Sequence, residues 1–223
     1  MSCAQCEGIE AQFGQAAAKK YLRRYRRRGP DRTTRLLIDA LRLALDEDEG
    51  VGATLLDVGA GVGAIHHELL DARLTRAVHV DASAAHMAAA REETERRGHS
   101  DRVAFVHGDF VAIADELAAA DIVTLDRVIC CYHDMEGLVR RSADKALRLY
   151  GAVYPRDAGW MRIAIAAINV VQRIKRSPFR VFLHTPQAID TSLRAVGLER
   201  RSVRRTIAWE VVVYERPHVP LPR

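Results

Sequence analysis

Apolar and polar positions along the chain change period in a regular way. The stretch 16–28 is basic, with one tyrosine and leucine stripe, and Gly29-Pro30 stops it. Leu36, Leu37, Ala40, Leu41 and Ala44 then recur at helical spacing, which predicts a helix over 34–45 capped by Asp31 or Thr33. From residue 53 onward, short β-branched runs alternate with helical patterns. The pattern predicts strands at 53–58, 76–80, 103–106 and 121–125, with helices at 63–71, 83–97 and near 111–119 between them. Alternation at this spacing implies a parallel sheet with helices on both faces. The remainder reads as a helix over 135–149, a strand over 151–154 and an apolar helix over 159–175. A helix opened by Thr185-Pro186 follows and ends before Gly197. A closing hairpin of 199–206 and 207–214 comes last. Residues 1–15 read as irregular, and 217–223, with three prolines, as a disordered tail.

The densest chemistry lies at the first strand end, Leu55-Leu56-Asp57-Val58-Gly59-Ala60-Gly61-Val62-Gly63. A buried strand ends on an acid and enters a turn with glycine at every second position. Such a turn lets backbone approach a ligand where a Cβ would clash, and the next helix points its free N–H groups at the same spot. Strand, turn and helix form the nucleotide-binding end of a Rossmann-like unit. Two more strand ends carry acids. Asp81 closes the second strand 24 positions after Asp57, a spacing that suits a carboxylate accepting from the two hydroxyls of a ribose. Asp109 and Phe110 follow the third strand. They offer an acceptor for an exocyclic amine and a face for a purine.

In order and spacing, these three motifs resemble the class I S-adenosylmethionine (AdoMet) dependent methyltransferases over about residues 50–215. The resemblance implies AdoMet as cofactor and S-adenosylhomocysteine (SAH) as product. It implies that Gly59, Gly61 and Gly63 pass under the methionine part, with Asp57 near its amino end, Asp81 on the ribose, and Asp109 with Phe110 at the adenine. Ala82 and Asp126 join them as cofactor-binding positions. The fold implied is α/β: a Rossmann-like, seven-stranded, mostly parallel sheet with helices on both faces, an antiparallel last strand and an N-terminal helical lid. The domain reading is a lid segment over 1–50, the methyltransferase domain over 51–215 with a cap helix near 159–175, and a tail over 216–223. A nicotinamide dehydrogenase is the alternative for a glycine turn. The turn here is G-x-G-x-G and not G-x-G-x-x-G, and a dehydrogenase leaves Gly108-Asp109-Phe110 unexplained.

Composition narrows the setting. The 223 residues, 48% apolar and 28% charged, suit one soluble domain. No secretory signal pattern opens the chain and no apolar run is long enough to span a bilayer, so a cytoplasmic location is the expectation. Arginine outnumbers lysine thirty to four, which reflects the base composition of a GC-rich source. The net charge of +5 is uneven, because nine Lys or Arg and one acid fall between Lys19 and Arg35. That stretch is either a solvated helix face or a patch for an anionic partner. Tyr21 and Tyr25, four apart on one face, could close over a flat or apolar ligand.

The acceptor side is expected beyond the carboxyl ends of the fourth and fifth strands. There the loop Asp126-Arg127-Val128-Ile129-Cys130-Cys131-Tyr132-His133-Asp134 departs from the Asn/Asp-Pro-Pro-Tyr of many enzymes that methylate base or glutamine amines. The loop looks more like that of small-molecule enzymes, with a loose resemblance to the magnesium-protoporphyrin O-methyltransferase group. The expected partner is therefore a small molecule, partly apolar or anionic, with no specific nucleic acid. Candidate catalytic groups are His133, His184 and Tyr132, and Arg127, Tyr154 and Arg156 could contact substrate. The helix over 159–175 is apolar almost all round, so it either caps the pocket or packs in a homodimer. Cys3-x-x-Cys6 and Cys130-Cys131 could meet at the pocket mouth. The second pair is adjacent, which is not a zinc-ribbon spacing, and adjacent cysteines on a strand point to opposite faces, so no metal is expected. The alternatives are a nucleic-acid methyltransferase using the basic helix, or a thiol or metalloid methyltransferase using the cysteines.

Overall fold

A computed structural model describes residues 4–46 and 52–217, with side chains from residue 8 onward. Cys3, the side chain of Cys6 and the tail after residue 217 lie outside the described residues, so the expectations placed on them are not addressed.

Seven strands form one sheet: β1 (Ala53–Val58), β2 (Leu74–Asp81), β3 (Val103–His107), β4 (Ala120–Asp126), β5 (Ala146–Pro155), β6 (Glu199–Arg205) and β7 (Trp209–Glu215). Their order is β3-β2-β1-β4-β5-β7-β6, parallel except for β7, which runs antiparallel to both its neighbours. This is the expected Rossmann-like sheet. Side chains alternate across it, so the neighbours Leu55 and Leu56 enter different cores. On one face Leu55, Ile122, Val153 and Val211 pack against Leu37, Ile38 and Leu41 of α3 (Arg32–Asp46) and Ile65 and Leu69 of α4 (Ala64–Leu70). On the other, Leu56, Val123, Tyr150 and Val212 pack against α6 (Phe110–Ile113), α7 (Met135–Asp144) and α9 (Pro186–Ala195). The strand–helix alternation thus reads correctly from the sequence because the central strands β1, β4 and β5 are buried on both faces.

The departures have identifiable causes. Residues 4–12 are helical (α1, Ala4–Gln12) and not irregular. α2 (Gln15–Arg28) ends where Gly29 takes φ +68° and its N–H bonds to the Tyr25 carbonyl. Asp31, not Thr33, caps α3: its Oδ1 accepts from the Thr34 amide at 3.3 Å. The helix expected over 135–149 stops at Asp144, and β5 begins five residues before its predicted start. Ala146 already pairs with Ala120 of β4 and Leu149 with Glu215 of β7, so pairing on two sides overrides the helical spacing. Near 111–119 the helix lasts one turn before a 3₁₀ turn over 114–116.

The basic helix α2 docks on α5 (Ala84–Arg97) through Leu22 and Ala89. A charge cluster reinforces the contact. Glu93, with no exposed side-chain surface, accepts from Nε of Arg26 (2.7 Å), Arg96 (2.9 Å) and Arg97 (3.0 Å). The three guanidiniums outweigh burial and hold the Glu93 carboxyl down to about 2. A depressed carboxylate stabilises the fold above its unfolded value, and the contribution disappears as pH falls through the folded one. Acid titration of the wild type should therefore show stability falling between about pH 4.5 and 2. Glu93→Gln should flatten that segment and cost roughly 1.5–3 kcal/mol at pH 7 by denaturant unfolding.

Candidate active site

The glycine turn is shaped by contacts on every side. Gly59, Gly61 and Gly63 have φ of +64°, +59° and +82°, the left-handed region that glycine enters without penalty. The amides of Gly59 and Ala60 donate to the Val80 carbonyl, and the Gly61 amide donates to Asp81 Oδ2 at 2.8 Å. A Cβ on Gly59 would lie 2.5 Å from Val128 Cγ2, and one on Gly63 2.5 Å from the His66 ring. One on Gly61 would meet nothing within 4 Å. Two of the glycines therefore fit the turn to the protein, and the third leaves its surface open.

The acids differ in their partners. Asp57, only 1% exposed, accepts from Thr124 Oγ1 at 2.7 Å and has His66 Nδ1 3.2 Å from its other oxygen. Burial pushes its carboxyl up to about 7. Asp81 accepts from the amides of Gly61 and Ser83, both at 2.8 Å, and burial raises its carboxyl too. Asp109 caps α6 through the Val111 amide and receives the Tyr132 hydroxyl on both oxygens, at 3.1 and 2.9 Å. Asp126 accepts from Thr34 Oγ1 and from Arg127 Nε, the latter at 3.0 Å.

These groups open on a cavity of about 550 Å³. Asp57, Gly59, Gly61, Asp81, Ala82, Asp109, Phe110, Asp126, Arg127, Tyr21 and Tyr132 line it. So do residues the sequence did not single out for the site: Ile9, Gln12 and Phe13 around α1, Thr34, His86, Phe179, Val181 and Trp209. Of these, His86 carried a readable signal, being in the first turn of the helix after Asp81. The others arrive from distant segments. Ile168 and Gln172 of α8 (Gly159–Ile174) also line the cavity, while Trp160, Ile163, Val170 and Ile174 of the same helix face outward. α8 thus contributes to the cavity wall with one face only.

Other candidates stand elsewhere. Tyr25 is buried against α4 and α5, donates to Glu68 at 2.9 Å and lies under Arg97, so it does not share the cavity with Tyr21. Tyr154 lies in the core beneath the sheet, and Arg156 turns back to the Thr206 carbonyl at 3.2 Å. His133 is exposed, stacked on the Tyr132 ring. His184 Nε2 is 2.9 Å from the Tyr132 carbonyl. Among the described residues, the cavity lining includes neither histidine. Arg127, φ +62°, forms ion pairs with Asp31 at 2.6 Å and with Asp126. Cys130 and Cys131 occupy a 3₁₀ turn (Ile129–Cys131), not a strand. Their sulfurs stand 3.9 Å apart on the same side, which corrects the opposite-face expectation. Among the described residues there is no group of three or more His, Cys, Asp or Glu able to hold a metal, and no helix is long and apolar enough to cross a membrane.

The family described as "Methyltransferase domain" matches residues 56–153. No curated protein matches the chain. Among solved structures, the chain is similar to magnesium protoporphyrin IX methyltransferase from Synechocystis PCC 6803 with bound SAH. The two share 15% identity and a TM-score of 0.73, over 96% of this chain and 100% of that one. An O-methyltransferase family protein from Burkholderia thailandensis matches at 17% identity and TM-score 0.66, over 93% of this chain and 62% of that one. An O-methyltransferase family 2 protein from Planctomyces limnophilus, in complex with apigenin, matches at 17% and 0.60, over 93% and 68%. A methyltransferase domain thus matches 56–153, and the strand order and glycine turn around it share the fold of these methyltransferases.

The Tyr132 hydroxyl is committed to Asp109 and ties the turn after β4 to the turn after β3. Tyr132→Phe is expected to lower unfolding free energy by about 1.5 kcal/mol, the lower end for a bond to a charged group. A denaturant midpoint equal to the wild type would show that this bond carries no stability.

Proposed function

We propose that the protein transfers the methyl group of AdoMet to a small, largely apolar acceptor held at the α1–α8 end of the cavity. The observation that carries this reading is the continuity of that cavity. It runs from the glycine turn and Asp81 to a wall of Ile9, Phe13, Ile168, Phe179 and Val181. Its size lies within the roughly 300–1,000 Å³ of small-ligand sites.

The residues present suit the cofactor. Asp81 keeps lone pairs beyond its two amide bonds and can accept from a vicinal diol. Asp109 and Phe110 suit an adenine amine and ring, and Ala82 lines the cavity next to Asp81. The bare backbone at Gly61 leaves room for the methionine part, and Asp57 and Asp126 line the same cavity. When bound, AdoMet supplies an electrophilic methyl on a sulfonium. The chain's part is to orient the acceptor and exclude water from the reacting atoms. His86 also faces the cavity: its Nε2 is buried without a protein partner, and burial favours the neutral ring, so it can accept a hydrogen bond from a ligand hydroxyl.

The same lining bears on the acceptor's charge. Arg127 is the only Lys or Arg among the described lining residues, and two carboxylates already neutralise it. The basic stretch of α2 contributes only Tyr21 to the cavity, and Arg26 pairs with Glu92 and Glu93. This supports an apolar acceptor over an anionic one, and a small molecule over a nucleic acid. The similarity to two O-methyltransferase family proteins supports an oxygen nucleophile.

Calorimetric titration with SAH tests the cofactor assignment. Asp81→Ala is expected to weaken binding by roughly 1.5–3 kcal/mol, about ten- to a hundredfold. Unchanged SAH affinity in that variant, or binding of NAD with no response to SAH, would overturn it.

A further inference from the structure

The cysteine pair in the turn after β4 is left unused by the reading above. Cys130 and Cys131 both line the cavity and both are reduced. The 3₁₀ turn that carries them is held by two amide bonds, Cys131 to the Val128 carbonyl and Tyr132 to the Ile129 carbonyl, and by the Phe182 amide on the Cys130 carbonyl. This backbone sets the two sulfurs 3.9 Å apart. Two sulfurs that share one soft centre at about 2.3 Å each stand no more than about 4.6 Å apart, a limit this spacing meets. A disulfide fits less well, because adjacent Cα atoms lie about 3.8 Å apart and disulfides favour roughly 4.4–6.8 Å.

We propose that Cys130 and Cys131 form a dithiol clamp inside the cavity that captures a thiophilic centre with two exchangeable positions, of the trivalent organoarsenical class. The reaction needs no oxidant. Two S–H bonds and the As=O bond of an arsenoxide are exchanged for two As–S bonds, the oxygen leaves as water with both thiol protons, and arsenic stays trivalent. The hydrogen bond with the Cys130 thiol, with a smaller contribution from Arg127, outweighs burial and lowers the Cys131 pKa, which favours that sulfur as the first nucleophile. The second bond then closes intramolecularly, at high effective concentration. The site is independent of which acceptor the enzyme methylates.

Phenylarsine oxide with intact-mass spectrometry tests this. The full chain carrying Cys3→Ser and Cys6→Ser removes the other thiol pair and leaves the clamp. One arsenical per chain is expected, resistant to excess monothiol and stripped by a dithiol. Adding either Cys130→Ser or Cys131→Ser should leave only an adduct that monothiol removes, with at least a tenfold loss of affinity. Thermal unfolding of each variant confirms that it is folded. No capture by the Cys3→Ser, Cys6→Ser chain, or dithiol-type capture that survives loss of either Cys130 or Cys131, would overturn the proposal.

Discussion

The site depends on the alignment of three strand ends, β2, β1 and β4, at one level. Asp57 sets it: its carboxylate takes the Thr124 hydroxyl from β4 and faces His66 from α4, while the turn it opens hangs on the Val80 carbonyl of β2. A buried carboxylate is costly unless its lone pairs are occupied. The partners of Asp57 therefore hold the three elements together as well as satisfying the charge. Behind the turn, His66, His67, His79 and His99 pack as a block of rings, and burial keeps the first three neutral. They serve as packing, directly beneath Gly63.

A second constraint fixes the fourth acid and the charge of the cavity. Arg127 sits in the left-handed region, a conformation that costs a non-glycine residue about 1–3 kcal/mol and persists only where the surroundings impose it. They do so here. Its amide donates to the Val153 carbonyl, and its guanidinium spans Asp126 and Asp31. Asp31 also caps α3, so the start of that helix is bonded to the end of β4. Arg127 is consequently satisfied within the protein, and the lining acids Asp57, Asp81 and Asp109 face no unpaired arginine or lysine among the described lining residues. That electrostatic bias suits a sulfonium cofactor.

The parts legible in the sequence are those whose causes are local. β1, its acid and the glycines occupy consecutive positions, and burial on both faces of the sheet gives the central strands β1 and β4 their continuous apolar runs. Asp81 was found by its distance along the chain and does turn toward the glycine loop. What failed to read depends on partners remote in sequence. The start of β5 is decided by pairing with β4 and β7, and Tyr25 is drawn from the cavity by Glu68 and Arg97. The tight turn that brings Cys130 and Cys131 to one side leaves no periodic signature in three residues. Tyr154 and Arg156 sit at a strand end as expected, yet their side chains follow the core and the β6–β7 hairpin.

α1 shows the same principle at the cavity mouth. Its sequence carries little amphipathic pattern, and its position follows from bonds to both rims. On the cofactor side, Ser83 Oγ donates to the Phe13 carbonyl at 2.8 Å, and the Ala84 amide donates to Glu10 Oε2 at 2.9 Å. On the opposite side, Gln172 Nε2 donates to Gln12 Oε1 at 2.9 Å, and the Phe13 and Phe179 rings meet edge to face. Gly8 allows this closeness, since a Cβ there would lie 2.6 Å from the Phe179 amide nitrogen. Phe13 contacts His86 as well, so one side chain touches both the helix after Asp81 and the segment after α8. α3, by contrast, buries Leu37, Ile38 and Leu41 in the sheet core. A segment held by a few bonds at its rims belongs to the low end of local stability, and one buried in the core to the high end. The N-terminal helices therefore do two kinds of work: α3 completes the core, and α1 bridges the cavity.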